Sequence, residues 1–502
     1  MLLFDILNNI LDKKEYELFP DDMLDIDIKG ISSDSRKVLK GYVFASVNGT
    51  KINGAQFIPD AISHGATVIL TQNRSDAIYC DRAYVVVVND VRLTLGKMAV
   101  KLHFNDTLPL DIIGVTGTNG KTTVSHYTGS ILNKCNLPCA VLGTLGGAMD
   151  SFKIASDRTT PDAISLCEYI SDFARHGAKA LSMEVSSHAL ELNRVCGLKF
   201  NVGIFTNLTE DHLDFHSDMA SYGKAKAKLF EQCDTAVINI DDEFGKALSQ
   251  SVACRCVTYS LSDSTADYFA TDIVHSVTGS KFNLNSKSGT QSITISTPGN
   301  FSVMNAIASA AACCEYGCNL SDVALALSNM GQVEGRFERL CIFDGINVIL
   351  DYAHTPDGIK NVLFTARDFT KGKLICVFGC GGDREKTKRP IMGNIACELA
   401  DYVIITSDNP RSENELSIAH EIISLLEYKR INYNIIIDRE KAIHHALLTA
   451  KQHDTVVIMG KGHEKSQDIL GIRYPFSDRD IILKFISDKA KFTNEENNLW
   501  NR

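Results

Sequence analysis

Residues 114–123 read GVTGTNGKTT, and they join an apolar run at residues 110–115 to a helical pattern from residue 122 to about residue 132. A buried strand that passes through a glycine-rich turn directly into a helix constrains this chain more than any other feature it carries. Such a turn aims backbone N–H groups at an anion, and the positive end of the helix adds to the attraction. Lys121 brings a mobile charge for outer phosphates, and Thr122 or Thr123 can offer a hydroxyl to Mg²⁺. The spacing departs from G-x-x-x-x-G-K-[ST]: Val115 stands at the first glycine position, with Gly114 and Gly117 on either side. The reading is a cradle for ATP or GTP built from Gly117, Thr118, Asn119, Gly120, Lys121, Thr122 and Thr123.

The pattern on either side predicts an α/β chain of three domains, and its 502 residues are enough for that many cores. Residues 1–108 alternate short strands (43–47, 67–70, 84–88) with helices (57–64, 91–103), as a small α/β substrate domain would. Residues 109–333 form the central, P-loop-type ATPase domain, with strands at 139–142, 178–185, 202–206 and 235–240 in a mostly parallel sheet covered on both faces. Its stretch 253–296 becomes short, alternating and rich in Ser, Thr and Val, which predicts antiparallel strands at one edge. Residues 334–490 carry strands at 346–351, 373–378, 402–406, 434–437 and 455–459. They read as a doubly wound, Rossmann-like sheet whose ligands sit outside the carboxyl ends of the strands. Residues 491–502 are a polar tail expected to be disordered.

A net charge of −10 argues against a general binder of nucleic acid or anionic membrane. No apolar run approaches the ~18 residues of a bilayer span, and Asp5, Asp12 and Lys13 come too early for a signal peptide. A cytoplasmic monomer with no membrane or nucleic-acid partner is expected. The 15 cysteines are scattered and odd in number, as reduced thiols would be. Cys313, Cys314 and Cys318 end an alanine-rich helix and read as core residues rather than metal ligands.

Two strand ends carry the chemistry. The strand at 178–185 ends in EVSSH from Glu184, and the next ends in TNLTEDHLD from Thr206. Both should open on the edge that holds the phosphate loop. Glu184, His212 and the Thr122 hydroxyl there would supply hard or borderline ligands for Mg²⁺ beside phosphates. The alternative is that Glu184 and His212 are hydrogen-bond partners at strand ends. In the third domain the polar runs DYAHTP (351–356), GCGGDR (379–384), DNPR (408–411) and GKGHE (460–464) also follow strands.

The runs TGTNGKTT, EVSSHAL, NLTEDHLDFH, YGKAKAKLF, GNFSVMNAIA, DYAHTPDGI and GKGHE, in this order across essentially the whole chain, resemble the Mur ligase family. These are ATP-dependent ligases that build the peptide of bacterial cell-wall precursors. The likeness is nearest to members that add a diamino acid to UDP-N-acetylmuramoyl-L-alanyl-D-glutamate. It implies an acyl phosphate made from ATP and a substrate carboxylate, then attack by an amine. It further implies that Lys226 is carbamylated by CO₂ and joins Thr122, Glu184 and His212 around Mg²⁺. By pattern alone Lys224, Lys226 and Lys228 read as a solvated helix face, although three alternating lysines cannot all share one face. Lys121, Glu184, His212 and Lys226 are thus the implied catalytic set.

Asn305, Arg336 and Asp351, with His354 on the same loop, match the family's ATP contacts. Ser33, Ser35 and the loop at residues 49–51 match the region that holds the uridine nucleotide. Thr159, Thr160, Ser186 and Arg194 match contacts to the muramoyl peptide, whereas Leu192 departs from a frequent glutamine and is not carried over. Arg384, Asp408, Asn409, Pro410, Arg411, Gly460 and Glu464 match the amino-acid site. Within the family the arginine of DNPR marks members that take meso-diaminopimelate. Pro410 would stiffen the turn so that Arg411 grips the distal carboxylate with paired hydrogen bonds, beside Glu464 for the distal ammonium. Folylpolyglutamate synthetase resembles the same ATPase core, but the first domain and DNPR argue against it. A nucleotide switch without ligase chemistry has no use for Glu184, His212 and Lys226 around a second substrate.

Overall fold

The computed structural model describes residues 1–20, 26–49, 52–105, 107–426 and 432–500. The first sheet has the order Tyr16–Phe19, Tyr84–Val88, Ala66–Thr71, Tyr42–Ala45, Gly30–Ser32. It is parallel except for its edge strand Tyr16–Phe19. Beside it lies the helix Leu3–Ile10, absent from the sequence reading, which buries Leu3, Ile6 and Leu7 at helical spacing.

Asp111–Thr116 lies inside an eleven-stranded sheet. The parallel core runs Arg255–Ser260, Cys233–Asn239, Phe200–Phe205, Asp111–Thr116, Ala180–Glu184, Cys139–Gly143. These strands are apolar along their length because helices cover both faces. On one face Val115, Ile204 and Val237 pack with Ile131 and Ile307 from the helices Lys121–Lys134 and Asn300–Tyr316; on the other, Ile112 and Phe200 pack with Ile170 and Phe173. Each such buried side chain contributes about 1.5–3 kcal/mol. Tyr268–Ser276, Gly279–Ser286 and Gly289–Ile295 run antiparallel to one another at one edge, as alternation predicted for the stretch 253–296, but Arg255–Ser260 in that stretch is parallel and Tyr268–Ser276 joins it in parallel. The opposite edge carries an unforeseen antiparallel pair, Gly146–Met149 and Phe152–Ile154, masked in the sequence by its glycines.

The displaced first glycine of the phosphate loop has a packing cause. Gly114 belongs to the strand, where an added Cβ would stand 2.7 Å from the Phe200 ring, and Val115 is fully buried in the core. The loop proper starts at Gly117.

The third sheet has the order Glu338–Phe343, Ile346–Asp351, Thr455–Met459, Leu374–Phe378, Tyr402–Ile405, Tyr433–Ile435, parallel apart from Glu338–Phe343. The final helix runs Asp478–Trp500, so the polar stretch from residue 491 to residue 500 is helical where disorder was expected. That stretch contains no glycine or proline to stop a helix already under way.

Arg439 fastens this helix to the sheet. Its buried guanidinium pairs with the equally buried Asp478 at 2.7 Å and donates to the carbonyls of Ser407 and Met459. Asp478→Ala leaves that guanidinium unpaired, and we expect a loss of about 3–5 kcal/mol in the denaturant-induced unfolding of the C-terminal sheet. Asp157→Ala breaks the exposed pair with Arg473 at 3.1 Å and should cost less than about 1 kcal/mol.

Candidate active site

Strand ends from two sheets face one cavity. The central sheet supplies the loop after Asp111–Thr116, Glu184 at the end of its strand, and the segment after Phe200–Phe205; the third sheet supplies Asp351, Gly379, Asp408 and Gly460. Residues 118–123 line this cavity, as do Asn305, Arg336 and His354.

Gly117 has φ +146°, and a Cβ there would lie 1.8 Å from Thr206 Oγ1, so the turn admits only glycine. Thr118 and Asn119 donate their N–H groups to Asn207 O and Oδ1, each at 2.9 Å. Gly120 then starts the helix Lys121–Lys134 with no side-chain cap, so the N–H groups of its first turn are available to an anion. The Lys121 ammonium folds back on the carbonyls of Gly117 (2.9 Å) and Thr118 (2.8 Å). Thr122 Oγ1 accepts from Arg336 Nη2 at 2.7 Å. The same guanidinium lies 4.6 Å from the Tyr352 ring centroid, and its Nε is buried without a partner among the described residues.

Lys226 corrects the solvated-face reading: Lys224 is exposed, but Lys226 is buried on the cavity wall. Its Nζ donates to Gly117 O at 2.8 Å, the carbonyl that Lys121 also uses, and sits 4.1 Å from the Tyr222 ring centroid. Burial, reinforced by the charge of Lys121 and only partly opposed by Asp211, pushes the Lys226 ammonium well below its ordinary value. Glu184 is buried too; Oε1 accepts from Thr144 N at 2.7 Å and Oε2 from Thr144 Oγ1 at 3.1 Å. Burial also pushes the His212 imidazole down despite the neighbouring Asp211, which leaves it neutral and able to ligate. A carboxylate, a neutral imidazole and the Thr122 hydroxyl thus border the phosphate loop, a donor set that suits a hard cation completed by phosphate oxygens. Among the described residues no three His, Cys, Asp or Glu side chains form a metal centre by themselves.

On the opposite wall Asp351 accepts from the N–H groups of Phe337 and Ala353, both at 2.6 Å, and burial pushes its carboxyl up. His354 Nδ1 is 3.0 Å from Tyr352 O. Arg384 is exposed at the cavity wall. Arg411 has φ +50°, and its guanidinium donates to Gly382 O. Asn409 Nδ2 donates to Glu464 Oε2 at 2.8 Å. Pro410 is buried in the turn between them and its carbonyl accepts from Glu413 N at 3.0 Å.

The remaining predicted residues divide. Thr159 and Ser186 line the cavity, and Thr159 meets Thr144 Oγ1 at 3.1 Å. Thr160 is fully buried, donating to Glu184 O at 2.9 Å, and Arg194 Nη1 donates to Thr160 O at 3.1 Å; both brace the wall without lining it. Burial, with Arg158 nearby, pushes Arg194 down to about 10. Ser33 and Ser35 follow the strand Gly30–Ser32 of the first sheet, the one exposed and the other buried, and neither reaches this cavity. Thr50 and Lys51 of the matching loop lie outside the described residues.

Sequence reasoning missed two bridges between the walls. Lys388 Nζ lies 3.2 Å from Asp211 Oδ1, both side chains buried. Burial alone pushes the Asp211 carboxyl up, but the basic side chains around it, with the Lys388 ammonium in contact, outweigh burial and hold it below its ordinary range. Asn119 Nδ2 donates to Asp357 Oδ2 at 2.9 Å. Lys388 sits in the run DREKTKR, which reads as a solvated face, so no pattern marked it.

Three family models match the chain: the Mur ligase family catalytic domain over residues 27–101, the Mur ligase middle domain over 115–313, and the Mur ligase glutamate ligase domain over 335–462. The chain is 40% identical over 486 residues to the UDP-N-acetylmuramoyl-L-alanyl-D-glutamate--2,6-diaminopimelate ligase of Clostridium tetani, covering 96% of this chain and 99% of that one. It is 41% identical over 470 residues to the ligase of the same name from Clostridioides difficile, with 92% and 96% covered. A solved structure of a UDP-N-acetylmuramoyl-L-alanyl-D-glutamate--2,6-diaminopimelate ligase matches with a TM-score of 0.67 at 34% identity, over 92% of this chain and 95% of that one.

The loop geometry makes Lys121 a test of the cradle. Among the described residues its ammonium donates to two carbonyls and to no carboxylate, so Lys121→Ala should leave the circular dichroism spectrum and thermal midpoint unchanged. Loss of one charge-assisted contact should weaken ATP binding about 10- to 100-fold by calorimetry. Unchanged affinity in the folded variant removes the phosphate assignment.

Proposed function

The chain belongs to the Mur ligase family, and from that premise we propose that it is the ATP-dependent ligase that adds meso-2,6-diaminopimelate to UDP-N-acetylmuramoyl-L-alanyl-D-glutamate. The observation that carries this reading is the meeting, in one cavity, of a phosphate cradle and a set of cationic and acidic groups from a second sheet. A nucleotide switch needs only the first. An amide-forming ligase needs both, because carboxylate and amine must be held in line around an activated intermediate.

Direct condensation of a carboxylate with an ammonium in water is uphill and has a poor leaving group. In the proposed sequence a substrate carboxylate oxygen attacks the γ-phosphorus of ATP and ADP departs. The free amine of the diamino acid then attacks the acyl phosphate carbonyl, and the tetrahedral intermediate expels phosphate. Lys121 turns from its carbonyls to the β/γ-phosphates, with the helix start behind it. Arg336, Asn305, Asp351 and His354 border the nucleotide. Lys226 reacts as the free amine its burial favours: its nitrogen bonds to the carbon of CO₂ and loses a proton, giving an anionic carbamate. Thr122, Glu184, His212 and that carbamate would hold Mg²⁺, which supplies charge neutralisation at the phosphates. Ser33 and Ser35 mark the region for the uridine nucleotide, while Thr159, Ser186 and, through Thr160, Arg194 serve the muramoyl peptide. A cytoplasmic location follows from ATP and a nucleotide-linked precursor as substrates, and a monomer suffices because one chain supplies all the residues named.

Meso-diaminopimelate resembles lysine with a second carboxylate at its far end. Arg411 and Arg384 provide the partners for that group, and Glu464 the partner for the distal ammonium. L-lysine would leave the Arg411 guanidinium without a carboxylate partner, a penalty that can reach ~10⁴-fold discrimination.

A mass-spectrometric product assay with competing diamino acids tests the reading. Phosphate release should require ATP, the UDP-muramoyl dipeptide and the diamino acid together, with meso-diaminopimelate strongly preferred. Equal use of L-lysine refutes the specificity, and release without a second substrate refutes the ligase. Arg411→Ala should lose activity chiefly with meso-diaminopimelate. Lys226→Ala should be inactive and partly restored by short carboxylic acids that replace the carbamate; full activity without them returns Lys226 to a packing role.

A further inference from the structure

The best-formed polar network behind the proposed amino-acid site is centred on a residue that does not line the cavity. Lys461 follows the strand Thr455–Met459 and is fully buried. Its Nζ donates to Glu464 Oε2 at 2.7 Å and to Asn409 Oδ1 at 3.0 Å. Asn409 Nδ2 donates to the same Glu464 Oε2 at 2.8 Å. Glu464 therefore has one oxygen doubly occupied from inside, while Oε1 makes no hydrogen bond among the described residues and the side chain lines the cavity.

The network continues to the specificity turn. Asn409 Oδ1 also accepts from Asp468 N at 2.9 Å, and Asp468 O accepts from Arg411 N at 3.0 Å. A line of direct hydrogen bonds thus runs from the Lys461 ammonium to the backbone of Arg411, which holds a left-handed conformation at φ +50°.

We propose that Lys461 is the positioning and charge-setting residue of the amino-acid site: it neutralises the inner oxygen of Glu464, leaves the outer one for a single substrate ammonium, and through Asn409 and Asp468 fixes the turn that aims Arg411. This rests on the reading of the cavity wall as a diamino-acid site. Without Lys461, Glu464 presents an uncompensated negative charge and attracts whichever substrate is more cationic. L-lysine is that substrate, because it lacks the second carboxylate. The freed Asn409 also releases the turn, which weakens the grip on that carboxylate. Both effects act against meso-diaminopimelate relative to lysine.

The test compares kcat and KM for meso-diaminopimelate and L-lysine, and KM for ATP and the UDP-muramoyl dipeptide, in wild type, Lys461→Met, Glu464→Gln and the double variant. Loss of a buried charge-assisted contact predicts a rise of roughly tenfold or more in KM for meso-diaminopimelate in Lys461→Met, a smaller change in kcat, and unchanged KM for ATP. The preference over lysine should narrow by about the same factor. Adding Glu464→Gln should recover part of the lost preference, because no orphaned charge remains. Where Lys461→Met is unfolded by circular dichroism, Lys461→Gln, neutral but still a donor to Asn409, takes its place with a smaller narrowing, since only the charge on Glu464 is then left uncompensated. An unchanged preference, or an equal rise in KM for all four substrates, overturns the proposal and leaves Lys461 a packing residue. A wild type indifferent between the two amino acids overturns the underlying reading instead, so the two failures are distinct.

Discussion

Two lysine ammonium groups share one carbonyl oxygen. Lys121 and Lys226 reach Gly117 O at 2.9 and 2.8 Å, and neither has a carboxylate within salt-bridge distance among the described residues. Two like charges held on one oxygen repel by a few kcal/mol at an effective dielectric of ~20, and burial adds to the penalty. The arrangement persists if one group gives up its proton or an anion arrives. Burial pushes both ammonium groups down, Lys226 well below its ordinary value, which favours the first course there, and the open helix start beside Lys121 provides for the second. The charge that the site lacks is the charge its proposed substrates bring.

Such a site works only if its two walls stay opposed. Lys388 with Asp211, Asn119 with Asp357 and Arg336 with Thr122 all cross from the central sheet to the third sheet or the segment leading into it. The one buried charge pair among them, Lys388 with Asp211, contributes little net stability, since desolvation offsets most of the attraction. The value of all three contacts is geometric: they set the spacing across which phosphate, carboxylate and amine must meet, and they narrow the access of water to an acyl phosphate.

The legible parts of the chain were those where local pattern and burial coincide. The strands Ile346–Asp351 and Thr455–Met459 are runs of apolar residues and stand where that pattern puts them. The phosphate loop and the placement of Glu184 and His212 near it were readable because strand ends in a parallel sheet share one edge. Buried cations were not. Lys388, Arg389, Arg439 and Lys461 lie in polar runs, and their burial is decided by partners far away in sequence, such as Asp211 or Asp478. Lys226 became legible only through resemblance, since spacing could not say which of three lysines turns inward. The hairpin at residues 146–154 was hidden for a different reason: glycines supply no side-chain pattern to read.

Left-handed backbone also occurs in and beside the site. His212, Phe337, Asp383 and Arg411 all have φ between +43° and +59°, a region that costs a non-glycine residue roughly 1–2 kcal/mol. Three of them donate their N–H to an acceptor that belongs to the site or is tied to it: His212 to Asp211 Oδ1 at 3.0 Å, Phe337 to Asp351 Oδ2 at 2.6 Å, and Arg411 to Asp468 O at 3.0 Å. Asp211 and Asp351 are themselves held by burial, and Asp468 by its N–H bond to Asn409 Oδ1. The unfavourable conformations are therefore not isolated defects. The hydrogen bonds to the flanking groups hold His212 and Arg411 in left-handed backbone at the two places where these residues line the cavity.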